Sequence, residues 1–385
     1  MLFRSGTGKG REFSYNASNL ETDTGNHLVE VINKRFPSKK RNIDQLRNPM
    51  FFGEDLSLQR YDLIKYPKFY DLYDQQLNFF WRPQEVSLVK DISDYKNLSP
   101  EERFVFDSNL KFQTMTDSML SRSIHELMKF CTNSELEICM NTWSFFETIH
   151  SNSYTYILNN VYPDATKFFD SILEDEEIVK RAKAISKKYD ELLSSDGDER
   201  QRLFDAILAT QITEGLIFYV SFACSFYFGY RGKMEGNSKI IKFISRDENL
   251  HVAITQNIMK NWMNNPEEGF QDIIKKNEEK VYAAYEMAVN AEKDWADYLF
   301  SKGNLIGLTS ESLKHYVEWL ANNRLSSLGY KKLYPNAKTN PLAGWLDSYY
   351  DSKKLQVAPQ ETELSSYVKG VDNTISDDAF DDFKL

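Results

Sequence analysis

The sequence predicts an all-α protein, and three observations carry that prediction. Glycine (16) and proline (10) are scarce in 385 residues while charged residues reach 27%, a composition that favours helices over a sandwich or barrel. No stretch sustains the alternation and turn chemistry of paired strands. Apolar residues recur at helical spacing through most of the chain, bounded by recognisable start and stop signals.

Taken in order, residues 1–47 are polar and weakly periodic and read as an N-terminal arm with one short helix. Gly6-Thr-Gly-Lys-Gly10 lacks the spacing, the Ser or Thr after the lysine and the preceding strand of a phosphate loop. From Pro49 the character changes, and a helix is expected from about Tyr66 to Trp81, closed by Pro83. Ser99-Pro-Glu-Glu marks a helix start, with proline in the first turn and acids at the positive end. That helix should run through Asp117 to about Lys129, and a second from Asn133 through Glu147 and His150 to about Asn160, before Pro163. Residues 165–193 read as one amphipathic helix ending in the SSDGDE loop. Further helices are expected over about 200–230, Met234 to Met263, 267–302 and 310–328. After Trp345 the pattern decays into a polar, acidic tail. The expected organisation is thus an arm (1–47), one helical domain (48–345) and a flexible tail (346–385).

Composition excludes several function classes. Net charge is −10 and the basic residues are scattered, so no nucleic-acid face is expected; Lys39-Lys40-Arg41 reads as a solvated loop. The longest apolar run, Gly215 to Tyr230, is too short for a membrane span and reads as a buried helix. Cys131, Cys139 and Cys224 fit no zinc spacing, and no secretory signal opens the chain, so reduced thiols in a cytoplasmic protein are expected.

The chemistry is carried by a doubled pattern. Glu147-Thr-Ile-His150 and Glu248-Asn-Leu-His251 each place a carboxylate and an imidazole one helical turn apart. Each is preceded by an acid in an apolar helix, Asp117 thirty residues before Glu147 and Glu214 thirty-four before Glu248. Such acids are costly to bury without a cation, and two acids plus two Glu-x-x-His words are the ligand set of a di-metal carboxylate site in a four-helix bundle. Two divalent cations would balance the four negative charges; oxygen ligands with one imidazole per metal suit iron or manganese better than zinc or calcium. Tyr154 lies four residues after His150 on the same face, and Phe218, Phe222 and Ile244 should line the apolar wall beside the metals. On spacing alone Tyr154 is either a redox-active phenol or an ordinary core tyrosine.

Several longer segments extend the pattern: NPMFFG (48–53), FFWRP (79–83), SNLKFQ (108–113), FFETIHSNSYTYI (145–157), FYVSFACSF (218–226), MEGNSKIIKFISRDENLH (234–251), EKDWADYLF (292–300) and VAPQETELSSY (357–367). Together they resemble the small, radical-generating subunit of class I ribonucleotide reductase over about residues 48–385. The resemblance implies a ferritin-like helical bundle that forms a homodimer. It implies that Asp117, Glu147 and His150 bind one metal and Glu214, Glu248 and His251 the other, with Glu147 and Glu248 bridging. Tyr154 would carry a stable tyrosyl radical in a pocket of Phe218, Phe222 and Ile244. Trp81 and Asp247 would form a relay from His150 toward the surface. In the tail, Tyr367 and Glu361 would pass the oxidising equivalent to the large catalytic subunit, on which Phe380, Phe383 and Leu385 are candidate anchors. The arm before Asn48 has no counterpart in the resemblance. The rival readings are another ferritin-like oxidase or hydroxylase, which shares the ligands without the relay, and an iron-binding protein, which needs no pocketed Tyr154.

Overall fold

The computed structural model describes residues 44–54, 58–193 and 197–350; the expectations placed on residues 1–43 and on the tail beyond Tyr350 lie outside them. Among the described residues thirteen α-helices follow one another: α1 (Pro67–Asn78), α2 (Val89–Lys96), α3 (Pro100–Met128), α4 (Ser134–Val161), α5 (Ala165–Ile172), α6 (Glu176–Leu193), α7 (Glu199–Ile212), α8 (Tyr219–Tyr230), α9 (Glu235–Asn264), α10 (Gln271–Lys276), α11 (Glu278–Leu299), α12 (Ser310–Ser327) and α13 (Ala343–Tyr350). Among the described residues β pairing is confined to isolated bridges, Phe51 with Cys131 and Leu305 with Leu308.

The long helices start where their caps dictate. Ser99 accepts from the Glu102 amide (3.2 Å) while the Glu102 carboxylate accepts from the Ser99 amide (3.0 Å), a reciprocal capping box that opens α3. Asn133 caps α4 by accepting from the Leu136 amide at 2.9 Å. α9 starts differently. Met234 is left-handed (φ 48°) and offers no side-chain cap of its own. Instead Asp91, on the short helix α2, accepts from the amides of Gly236 (3.0 Å) and Asn237 (2.6 Å), and Asp94 accepts from that of Met234 (2.9 Å). Gly236 is required by this close approach, since a Cβ there would come within 2.5 Å of the Ser87 carbonyl oxygen.

Packing brings five helices around the core: α3 lies along α4, α9 along α8, and α9 also meets α4 and α7. The stretch Glu199–Tyr230 is long and apolar enough to cross a membrane by length and composition, but 89% of its most apolar window is buried inside the fold. Its hydrophobicity is consumed by core packing.

Several expected elements differ. The helix expected over 200–230 is interrupted by a π turn, Thr213–Ile217, so that α7 and α8 are offset around Glu214. Residues 165–193 form two helices because Asp175, which accepts from the Ile178 amide and from the Tyr298 hydroxyl, starts a new one. Residues 267–302 likewise divide at Asn277, which lies between α10 and α11 and whose side chain donates to the Ile273 carbonyl and to Gln201. The first helix ends at Asn78, so Trp81 lies beyond it, beside the Pro83–Glu85 turn. Helices α2 and α13 were not expected, and α13 lies across the domain boundary anticipated at residue 345.

Candidate metal centre

The six residues singled out by the doubled pattern meet in the core. Asp117 comes from α3, Glu147 and His150 from α4, Glu214 from the π turn, and Glu248 and His251 from α9. All six are fully buried. Their ligand atoms form two groups, Asp117–Glu147–His150–Glu248 and Glu147–Glu214–Glu248–His251, each lying within 4.8 Å of one another. Glu147 and Glu248 belong to both, one from each Glu-x-x-His word.

The imidazoles point their Nδ1 atoms inward. His150 Nδ1 lies 3.1 Å from Glu248 and 3.5 Å from Glu147; His251 Nδ1 lies 2.9 Å from Glu248 and 3.1 Å from Glu147. No hydrogen bond of ordinary geometry among the described residues satisfies either oxygen of Asp117 or of Glu214. Four acids converging in a dry core with unused lone pairs fit a pair of divalent cations and little else.

The electrostatics of the cluster repeat this division. Burial, reinforced by Glu147 and Glu248, pushes Asp117 well above the usual carboxylate range, and burial with the same two acids does so for Glu214. Burial also opposes ionisation of Glu147 and Glu248, but both fall below their ordinary value: hydrogen bonds to the histidines outweigh it at Glu147, and a hydrogen bond to Glu214 with the attraction of His251 does so at Glu248. The histidines are raised against their own burial, His150 by hydrogen bonds to Asp247, Glu147 and Glu248, and His251 first by the charge of Glu248. The shared pair is thus favoured in its ionised form relative to the two end acids, whose charge a bound cation would offset.

A polar chain leaves the cluster on the His150 side. His150 Nε2 lies 3.1 Å from Asp247 Oδ2, and the Trp81 indole N–H donates to the same oxygen at 2.8 Å. The Trp81 ring stacks on Phe243 (5.1 Å between centroids) and is itself buried; Arg246 Nε lies 3.5 Å from Asp247 Oδ1. A carboxylate holding the outer nitrogen of a ligating histidine fixes its tautomer and orientation.

Tyr154 is fully buried one turn beyond His150, and burial followed by the charge of Asp117 pushes its phenol well above the ordinary value. Phe218, Phe222 and Ile244 are also fully buried, the two phenylalanines stacked at 5.6 Å and 11°. Tyr367 and Glu361 lie outside the described residues. Sequence reading missed Trp143, whose indole N–H donates to Glu147 Oε1 (3.0 Å) and whose ring stacks on His251 (5.0 Å, 24°). Its position four residues before Glu147 was the available signal. Also missed were Arg324, Tyr219 and Asn249, which pack behind Glu214 and Glu248.

The chain is similar to known proteins. The family model "Ribonucleotide reductase, small chain" matches residues 60–341. The chain is 42% identical over 369 residues to a ribonucleoside-diphosphate reductase subunit beta of Haemophilus influenzae, covering 89% of this chain and 97% of that one. It is 39% identical to ribonucleoside-diphosphate reductase 1 subunit beta of Escherichia coli O157:H7, with the same coverage. Among solved structures, a ribonucleotide reductase R2 subunit from Clostridium botulinum superposes with a TM-score of 0.73 at 32% identity, covering 78% of this chain and 94% of that one.

Proposed function

Because the chain belongs to the ribonucleotide reductase small-chain family and works with a large subunit in reducing ribonucleotides to deoxyribonucleotides, we propose that it is the partner that stores the oxidant, as a radical on Tyr154. Asp117, Glu147 and His150 would hold one metal and Glu214, Glu248 and His251 the other, with Glu147 and Glu248 within reach of both. Iron is the first choice and manganese the second, on the oxygen-rich donor set with one imidazole at each position. With two reduced metals bound, dioxygen reacting at the site supplies the oxidant that Tyr154 requires.

The remaining work falls to the protein. Phe218, Phe222 and Ile244 keep water and reductants from the phenoxyl. Asp247 holds His150 in register and joins it to Trp81, and this chain conducts the electron and proton that re-reduce Tyr154 when the large subunit draws on it. Tyr367 and Glu361, in the tail, complete the transfer between subunits, with Phe380, Phe383 and Leu385 as docking anchors. The protein acts as a homodimer in the cytoplasm, a location in keeping with its three free thiols, Cys131, Cys139 and Cys224.

One observation carries this reading: two carboxylate–imidazole groups that share Glu147 and Glu248, with a fully buried tyrosine one helical turn beyond His150. A hydroxylase or an iron-binding protein on the same bundle would share the ligands but has no use for the Trp81–Asp247–His150 chain. The test is aerobic addition of ferrous iron to metal-free protein, followed by electron paramagnetic resonance. A tyrosyl signal is expected in the wild type and none in Tyr154→Phe, with two metals bound per chain in both. A radical unchanged in the variant would remove Tyr154 from the mechanism.

A further inference from the structure

One guanidinium outside the ligand set reaches both halves of the carboxylate shell. Arg324, on α12, donates from Nε to the carbonyl of Gly215 at 2.9 Å and from Nη2 to the hydroxyl of Tyr219 at 2.6 Å, and sits 5.0 Å from the centre of the Tyr219 ring. The Tyr219 hydroxyl in turn donates to Asn249 Oδ1 at 2.9 Å. Gly215 follows Glu214 and Asn249 follows Glu248. The backbone beside one acid and the side chain beside another therefore hang on the same cation.

The segment it grips needs a support. Glu214 lies in the π turn Thr213–Ile217, a conformation that is uncommon and that persists where its surroundings over-determine it. The approaches to the Glu214 oxygens from neighbouring side chains are long or poorly aligned, His251 Nδ1 at 3.8 Å among them, so the backbone that carries Glu214 has a large part in setting its place. Gly215 leaves no slack: a Cβ there would lie 3.3 Å from Arg324 Nε and 3.4 Å from Val252 Cγ2. At the other end of the cluster the orienting bond is different, between His150 Nε2 and the Asp247 carboxylate, which accepts it.

We propose that Arg324 is a positioning residue that holds the π turn through the Gly215 carbonyl, and thereby sets the Glu214 carboxylate for the metal position shared with His251. Tyr219 and Asn249 form its second arm. The inference rests on the di-metal reading of the site. It assigns the two metal positions different supports: Asp247 for the one at His150, Arg324 for the one at Glu214.

Arg324 is half-buried and borders an open cavity of about 520 Å³, lined also by Tyr219, Arg246 and Asn249, so its head group can be removed without opening a void in the core. The experiment titrates metal-free full-length wild type, Arg324→Met and Arg324→Lys with Co(II), followed by visible absorbance and by the count of ions bound. Hydrogen exchange across residues 211–219 is read in parallel. Arg324→Met should keep one ion at wild-type affinity, bind the second about 10- to 100-fold more weakly, as supporting-residue changes do, and exchange faster over 213–219. Arg324→Lys should fall between, since an ammonium can meet the Gly215 carbonyl but lacks the fork that also reaches Tyr219. Two ions bound by Arg324→Met at wild-type affinity, with unchanged exchange, would overturn the inference. Equal weakening of both ions would overturn it as well, by showing a general structural role. Fewer than two ions on the wild type would instead sink the di-metal reading, and this inference with it.

Discussion

Glu292 shows how a residue outside the metal cluster can govern the protein's response to pH. It is fully buried, and its partner Arg181 is held between the rings of Phe112 (4.4 Å) and Trp295 (4.8 Å). Burial outweighs the guanidinium and raises Glu292 to about 7. A carboxyl raised in the folded state binds its proton more tightly there than in the unfolded chain. Its contribution to stability is therefore present below the unfolded value near 4.5 and is lost as pH rises through 7. The difference corresponds to at most about 3 kcal/mol between acidic and alkaline conditions. Thermal unfolding of metal-free wild type should show the melting temperature dropping between pH 5 and pH 8, and Glu292→Gln should make that drop shallower, leaving the part contributed by the raised Asp117 and Glu214. An identical pH slope in the variant would remove Glu292 as its origin. Nothing in the sequence announces this pair, because Arg181 and Glu292 are brought together only by packing. Trp143 is the opposite case. It stands one turn before Glu147 and the spacing was legible, but an indole on an apolar helix reads first as core.

At the scale of elements, legibility followed the caps. Ser99 and Asn133 announce α3 and α4 in the sequence, and the structure uses both as expected. Where a helix is capped from elsewhere, sequence reading ran short. α9 carries Ile244, Asp247, Glu248 and His251, yet its start is held by Asp91 and Asp94 of α2, a helix too short to show periodicity. The π turn was illegible for a related reason: Gly215 to Tyr230 reads as one apolar run, and the extra residue is accommodated by Arg324 from a distant helix. The trans cap gives a prediction for the element. Asp91→Ala strands two buried amides, those of Gly236 and Asn237, and should cost about 2–5 kcal/mol. Asp91→Asn keeps one acceptor oxygen and should cost less. Urea unfolding of the metal-free proteins measures both, and a loss below about 0.5 kcal/mol for the alanine variant, the range of ordinary surface changes, would show that the start of α9 is held by something else.

For the molecule as a whole, the doubled Glu-x-x-His pattern made the metal cluster legible from spacing, while the relay was not. Trp81 and Asp247 are 166 residues apart, and no local rule joins them; the wider resemblance supplied that pair, and the hydrogen bond at 2.8 Å is how they meet. The same division of labour separates the bundle from the tail. α13 is fastened to the domain by aromatic contacts, Tyr349 stacked on Phe226 (4.9 Å) and Tyr350 on Tyr219 (5.6 Å), so the last described turn belongs to the folded body. Cutting the chain after Lys354 leaves those contacts in place and should leave two metals and the Tyr154 radical intact. It removes Glu361, Tyr367 and the apolar residues Phe380, Phe383 and Leu385. Reductase activity with the large subunit should then vanish, because the oxidant is present but has no route across the interface. Full-length Tyr367→Phe separates docking from transfer: it should still bind the large subunit and compete with the wild type, yet support no turnover. Unchanged turnover in the truncated protein would sink the tail's role, and unchanged turnover in Tyr367→Phe would confine that role to docking.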